Sequence, residues 1–168
     1  MGNYNKSLTA TVYIINNGRV LLHMHKKYNT WFPVGGHLEE DELPHEAAVR
    51  EAKEESGLDV TLINKNPDIF DIGLVTRVPS PLAVYHEGDK KKTGEDFLDF
   101  IYAASTDKTD IHPGENENNT FRWFTKNELL SADENIKIHI RNTALRCLYY
   151  ASGEEDGEYF PVTENAIL

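Results

Sequence analysis

Glu51, Glu54 and Glu55 stand close enough along the chain to act together. At about 100° per residue in a helix they lie at relative angles of roughly 0°, −60° and +40°, so three carboxylates share one face. Like charges at this spacing repel and weaken a helix, and the arrangement calls for positive charge between them. Carboxylate oxygens are preferred ligands of Mg²⁺ and Mn²⁺, which would bring that charge. The chemistry these residue types indicate is the holding of divalent cations. Arg50, four residues after Glu46 and four before Glu54, reaches both and can fix carboxylate orientation from behind the ligands.

The element that must carry these groups is bounded by its own residues. Pro44 suits a first helical position and Gly57 the position just past the end, which predicts a helix between them. Ala48, Val49 and Ala52 form the opposite side, a small apolar stripe able to lie close against a sheet. Leu43 precedes Pro44, where a Ser, Thr or Asp would cap the helix better. Upstream lie Gly35-Gly36, a pair that lets backbone approach a ligand closely, and an acidic loop. From Gly36 to Leu58 eight acidic residues face only Arg50 and Lys53, so a phosphate can approach that surface only behind cations.

Gly36, Glu42, Arg50, Glu51, Ala52, Glu54, Glu55, Gly57 and Leu58 together resemble the signature of the Nudix hydrolase family. Three departures stand out: Ala52 is small for the aliphatic place, Leu43 stands before Pro44, and the proline usual just before the glycines lies one place earlier, at Pro33. The resemblance implies an α/β (α+β) fold, an α/β/α sandwich with a mixed β-sheet between helices. It implies a hydrolase that cuts the diphosphate linkage of a nucleoside diphosphate joined to another moiety, or of a nucleoside triphosphate. Its metal, Mg²⁺ or Mn²⁺, would be held by Glu51, Glu54, Glu55 and the Gly36 carbonyl. Arg50 would aim Glu51, and Glu54 or Glu117 would accept the proton of the attacking water. A catalytically inactive nucleotide-sensing module on the same fold is the alternative, although none of the three glutamates is lost.

The remaining composition narrows the class. With 168 residues and 39% hydrophobic content the chain suits one domain spanning 1–168, with 153–168 as a polar tail. Seventeen basic residues against twenty-eight acidic ones, a net charge of −11, argue against nucleic acid as partner. No run approaches a membrane span and no signal arrangement opens the chain, so no membrane partner is expected. Cys147 is the single cysteine, which excludes an internal disulfide and fits a buried thiol in a cytoplasmic protein. The partner expected is a small nucleotide or nucleoside diphosphate derivative, and a homodimer is compatible with this reading.

Along the chain, Leu8 to Ile15 and Arg19 to Met24 flank Asn16-Asn17-Gly18, a hairpin signal. Val60 to Ile63 and Ile69 to Val75 read as strands around a turn at Asn64 to Asp68. Leu82 to His86 and Phe97 to Ala104 form an antiparallel pair, with Lys90-Lys91-Lys92 at its solvated tip. Thr106 to Asn119 is a polar loop holding His112, Glu115 and Glu117, followed by an aromatic strand from Phe121 to Phe124 and by Lys126 to Leu130. This run resembles the later part of Nudix domains, where a glutamate completes the metal site or serves as base; Glu117 is the first candidate and Glu115 the second. Asn135 to Ala151 places Ile136, Ile140, Thr143, Ala144, Cys147, Leu148 and Ala151 on one helical face. His23, His25, Tyr85 and His86 lie on segments able to line a base or sugar pocket, and the seven scattered histidines lack the spacing of a metal site.

Overall fold

A computed structural model describes residues 6–65, 71–73, 75–88, 96–115, 120–131 and 135–153. Its centre is a long first strand, β1 (Lys6–Asn16), which turns through Asn17-Gly18 into β2 (Arg19–His25). Both turn residues take positive φ, 47° and 70°, as a tight two-residue hairpin requires. β3 (Thr30–Phe32) returns along β2, and β4 (Val34–His37) crosses to pair antiparallel with the first half of β1, Thr9 opposite His37 and Val12 opposite Val34.

The helix α1 (Pro44–Ser56) follows and ends at Gly57. Gly57 has φ +75°, and a Cβ there would stand 2.9 Å from the carbonyl carbon of His112 and collide with its oxygen. Only glycine satisfies both the left-handed turn and the close loop. β5 (Thr61–Leu62) then lies at the sheet edge. The strand expected over Ile69 to Val75 is instead a small separate hairpin, β6 (Asp71–Ile72) and β7 (Val75–Thr76), because Gly73 at φ +64° turns the chain within it. The turn at Asn64 to Asp68 and the Lys90-Lys91-Lys92 tip lie wholly or largely outside the described residues.

β8 (Ala83–Gly88) and β9 (Asp96–Ser105) form the expected antiparallel pair. β9 runs parallel to β1 along its whole length, from Lys6 beside Asp96 to Ile15 beside Ser105. β10 (Phe121–Thr125) pairs with β2, α2 (Lys126–Leu130) follows, and α3 (Ile138–Ser152) closes the described chain. α3 starts three residues later than Asn135, with Lys137 in extended backbone before it. The result is a mixed sheet with helices on its two faces, an α+β fold.

Alternation along β1 feeds two cores. Ala10, Val12 and Ile14 point to Ala47, Ala48 and Ala52 of α1, whereas Tyr13 and Ile15 point to Ile140, Ala144, Cys147 and Leu148 of α3. A strand covered on both faces must be apolar throughout, which is why this one reads so strongly in the sequence. The apolar side of α1 is corrected in one respect: Val49 is exposed, and Ala47 takes its place in the core. Short alanine side chains let α1 lie close to the sheet, and that closeness fixes where its acidic face emerges.

Candidate functional site

The acidic face of α1 is tied together by Arg50. Its Nε and Nη2 donate to the two oxygens of Glu42 at 2.8 and 2.9 Å, a bidentate pair. Nη1 donates to Glu51 Oε1 at 2.8 Å and to Glu54 Oε2 at 2.9 Å, and Nη2 also reaches the His37 carbonyl at 3.0 Å. The guanidinium beside Glu42 holds that carboxyl below its ordinary range, and the carboxylates in turn raise the pKa of Arg50. Contact with Glu46, expected from spacing, does not form. Glu46 turns back to accept from the Leu43 N–H at 2.9 Å, satisfying the backbone donor just ahead of the helix.

Gly36 brings the strand into the same cluster. A Cβ built there would stand 2.6 Å from Glu51 Cδ and 2.9 Å from Oε2, and would collide with Oε1. The Glu51 carboxylate therefore occupies space that exists only because residue 36 lacks a side chain. Its side chain is 12% exposed against 54% for Glu54. Arg50 and Gly36 fix Glu51 from two sides, while Glu54 stands at the solvent edge.

Glu55 is not among the groups Arg50 bonds; it lines a cavity of about 390 Å³ together with His25 and Tyr85, two of the residues expected in a substrate pocket. His86, the third, lines an adjoining cavity of about 520 Å³ that Tyr85 also borders. Thus the structure brings Gly36, Arg50, Glu51 and Glu54 into one cluster and places Glu55 in the lining of the neighbouring cavity.

Asp99 and Thr11 of that cavity were not singled out by sequence reasoning, whereas His23 and Tyr85 were. Asp99, 8% exposed, accepts from Thr9 Oγ1 at 3.0 Å and from Thr11 Oγ1 at 2.8 Å. Parallel pairing of β1 with β9 places these three on one face, a register that neither strand reveals alone. Tyr85 bonds Thr143 of α3 through their hydroxyl oxygens, 2.9 Å apart. His23 is 8% exposed and its Nε2 donates to the Pro33 carbonyl at 3.1 Å. Burial, aided by neighbouring His25, lowers its pKa to about 4, so it is neutral near pH 7.

The loop after β9 is fastened to the carboxyl end of α1. His112 N–H donates to the Ser56 carbonyl at 2.9 Å and Gly114 N–H to the Glu54 carbonyl at 3.0 Å. Glu115 follows, exposed, one residue beyond that anchor. Glu117 lies outside the described residues.

A family model described as the NUDIX domain matches residues 6–145, most of the chain. The chain belongs to the Nudix hydrolase family. It is similar to a Nudix-family hydrolase from Clostridium perfringens, with 35% identity over 86% of this chain and 97% of that one, and a TM-score of 0.73. A MutT Nudix hydrolase from Burkholderia pseudomallei shares the fold at 20% identity, covering 84% and 97% of the two chains, TM-score 0.59. A Nudix hydrolase from Nitrosomonas europaea does so at 17% identity, covering 94% of each, TM-score 0.59. The protein is accordingly a Nudix pyrophosphohydrolase, of a family that generally uses a divalent metal and acts on small nucleotide-derived substrates.

The Nudix site can be tested for that metal on its own residues. Among the described residues no three carboxylate, imidazole or thiolate groups already converge as a metal cage, since Glu51 and Glu54 are drawn to Arg50. The donor set nevertheless fits a hard cation: carboxylate and backbone oxygens, with the Glu51 carboxylate seated in the space a Gly36 side chain would fill. No described helix is long and apolar enough to cross a membrane.

Proposed function

We propose that this Nudix enzyme is a Mg²⁺- or Mn²⁺-dependent hydrolase of the diphosphate linkage in a nucleoside diphosphate joined to another moiety, or in a nucleoside triphosphate. The observation that carries the reading is Glu51, fixed between Gly36 and Arg50, with Glu55 opening onto a cavity lined by His25 and Tyr85. Glu51, Glu54, Glu55 and the Gly36 carbonyl would hold the metal. When bound, a divalent cation supplies positive charge to the phosphate oxygens and makes water more acidic.

The chain's own residues supply position and a proton acceptor. Arg50 holds Glu51 in one orientation, so ordering is complete before substrate arrives. Water attacks one phosphorus, the bond from that phosphorus to the bridging oxygen breaks, and the attacking water's proton passes to a carboxylate. Glu54 fits that role by standing at the solvent edge of the cluster. Glu117 is the other candidate, because its loop is anchored to the Glu54 carbonyl through Gly114. His25, Tyr85 and His86 would meet the part of the substrate beyond the phosphates. A cytoplasmic location is consistent with a single, buried cysteine.

The test is a screen of nucleoside diphosphate compounds and nucleoside triphosphates with phosphate detection. Hydrolysis should require Mg²⁺ or Mn²⁺ and stop with chelator. Turnover indifferent to chelator would refute the assignment.

A further inference from the structure

The two cavities share Phe32, Tyr85 and His139 and are therefore neighbours along one wall. Glu55 and Asp99 line the first. The second, about 520 Å³, has no carboxylate among its described lining residues, with Asp96 standing 3.5 Å from Nε2 of the lining His86, although the chain carries a net charge of −11. It is built from three elements: Tyr28 just before β3 with Phe32 at its end, Val84 to His86 of β8, and Lys137 with His139 at the start of α3.

Its rings form a wall. Tyr28 and Phe32 lie 5.7 Å apart, at 29°, and His25, which lines the first cavity, stands 4.7 and 5.1 Å from them. Aromatic faces of this kind accept a planar heterocycle. Above them stands the Lys137 ammonium, 5.0 Å from the Tyr28 centroid and 5.2 Å from that of Phe32. Its charge does nothing for α3, because it precedes the first turn, where the helix dipole disfavours a cation. Nor does it join an ion pair among the described residues.

An ammonium carries three donors and no acceptor. It pairs with the oxo group that guanine and uracil present opposite the sugar, and it opposes the amino group that adenine and cytosine present there. A nucleotide whose phosphates lie near Glu55 extends its base away from them, and the second cavity adjoins the first through Phe32, Tyr85 and His139.

We propose that the second cavity is the base subsite, and that Lys137 over Tyr28 and Phe32 selects guanine and uracil over adenine and cytosine. This deepens the reading above and rests on it for the position of the diphosphate.

The test uses binding. Titration calorimetry with Mg²⁺ and the α,β-methylene analogues of the four nucleoside diphosphates, which resist hydrolysis, gives four dissociation constants. The guanine and uracil analogues should bind at least about tenfold more tightly than the adenine and cytosine ones. In Lys137→Met, which keeps the aliphatic stem, the four constants should converge while circular dichroism reports an unchanged fold. Equal or better binding of the adenine or cytosine analogue by the wild type would overturn the proposal, and so would a preference that survives in Lys137→Met. Guanosine and uridine against adenosine and cytidine, titrated with chelator present, should keep the same order without metal or phosphate. If that order holds while no compound is hydrolysed, only the catalytic reading falls. If hydrolysis is found and the order is absent, only the base subsite falls.

Discussion

The Glu51 carboxylate sits where a side chain on Gly36 would be, so strand β4 and helix α1 are joined at an atom that is missing. Gly36→Ala should therefore act on Glu51 and hardly on the fold, because the displaced group is the end of a side chain. We expect kcat/KM to fall by about 10- to 100-fold, as when a ligand's support is lost. The melting temperature should move by no more than about 3 °C. Steady-state kinetics beside a thermal melt decide it; wild-type activity would separate the contact from catalysis.

Arg50→Lys keeps a charge and loses the fork. A lysine cannot serve Glu42, Glu51, Glu54 and the His37 carbonyl together, as the guanidinium does. Denaturant unfolding should show a loss of about 2 kcal/mol, the scale of charge-assisted bonds left unmade. kcat should fall while binding of a hydrolysis-resistant analogue changes less. Equal losses in both would mean that Arg50 binds substrate rather than orienting Glu51.

Much of this was readable from the residues. The boundaries of α1 follow from Pro44 and Gly57, and the β1–β2 hairpin from Asn17-Gly18 between apolar runs, because both depend on local backbone preferences. Contacts set by tertiary register were not. Helical spacing puts Val49 nearer than Ala47 to the stripe of Ala48 and Ala52, and only docking against β1 decides that Ala47 is inside. Arg50 choosing Glu42 over Glu46 depends on where the acidic loop folds back. Asp99 became visible only through the parallel pairing of β1 and β9. The hairpin at Gly73 was missed because apolar residues on both sides of it masked a turn.

His23 makes stability depend on pH. Its pKa is about 4 in the folded protein against 6.5 as the ordinary value, chiefly through burial. Between these values the unfolded chain binds a proton that the native one does not, so stability falls as pH drops from about 6.5 towards 4. A displacement of this size corresponds to about 3 kcal/mol, fully lost below the folded value. Urea unfolding of wild type and His23→Gln between pH 7 and 4.5 should show a shallower slope in the variant. Parallel slopes would contradict the assignment.

Gly57→Ala combines a left-handed backbone with a collision against His112. We expect a loss of about 2 to 3 kcal/mol in denaturant unfolding. Because the same contact anchors the loop carrying Glu115 and Glu117, activity should fall further than stability alone explains. Unchanged kcat at a temperature where the variant stays folded would show that the loop takes no part in catalysis.

The most direct measurement is a Mn²⁺ titration followed by electron paramagnetic resonance on wild type and Glu55→Gln, with diphosphate hydrolysis assayed in the same samples. The wild type should bind Mn²⁺ and hydrolyse. The variant, near-identical in volume but without the charge, should bind the ion more weakly and turn over at least about 100-fold more slowly with its fold intact. Equal Mn²⁺ affinity and equal turnover in the two proteins would contradict the claim that these glutamates hold the catalytic metal.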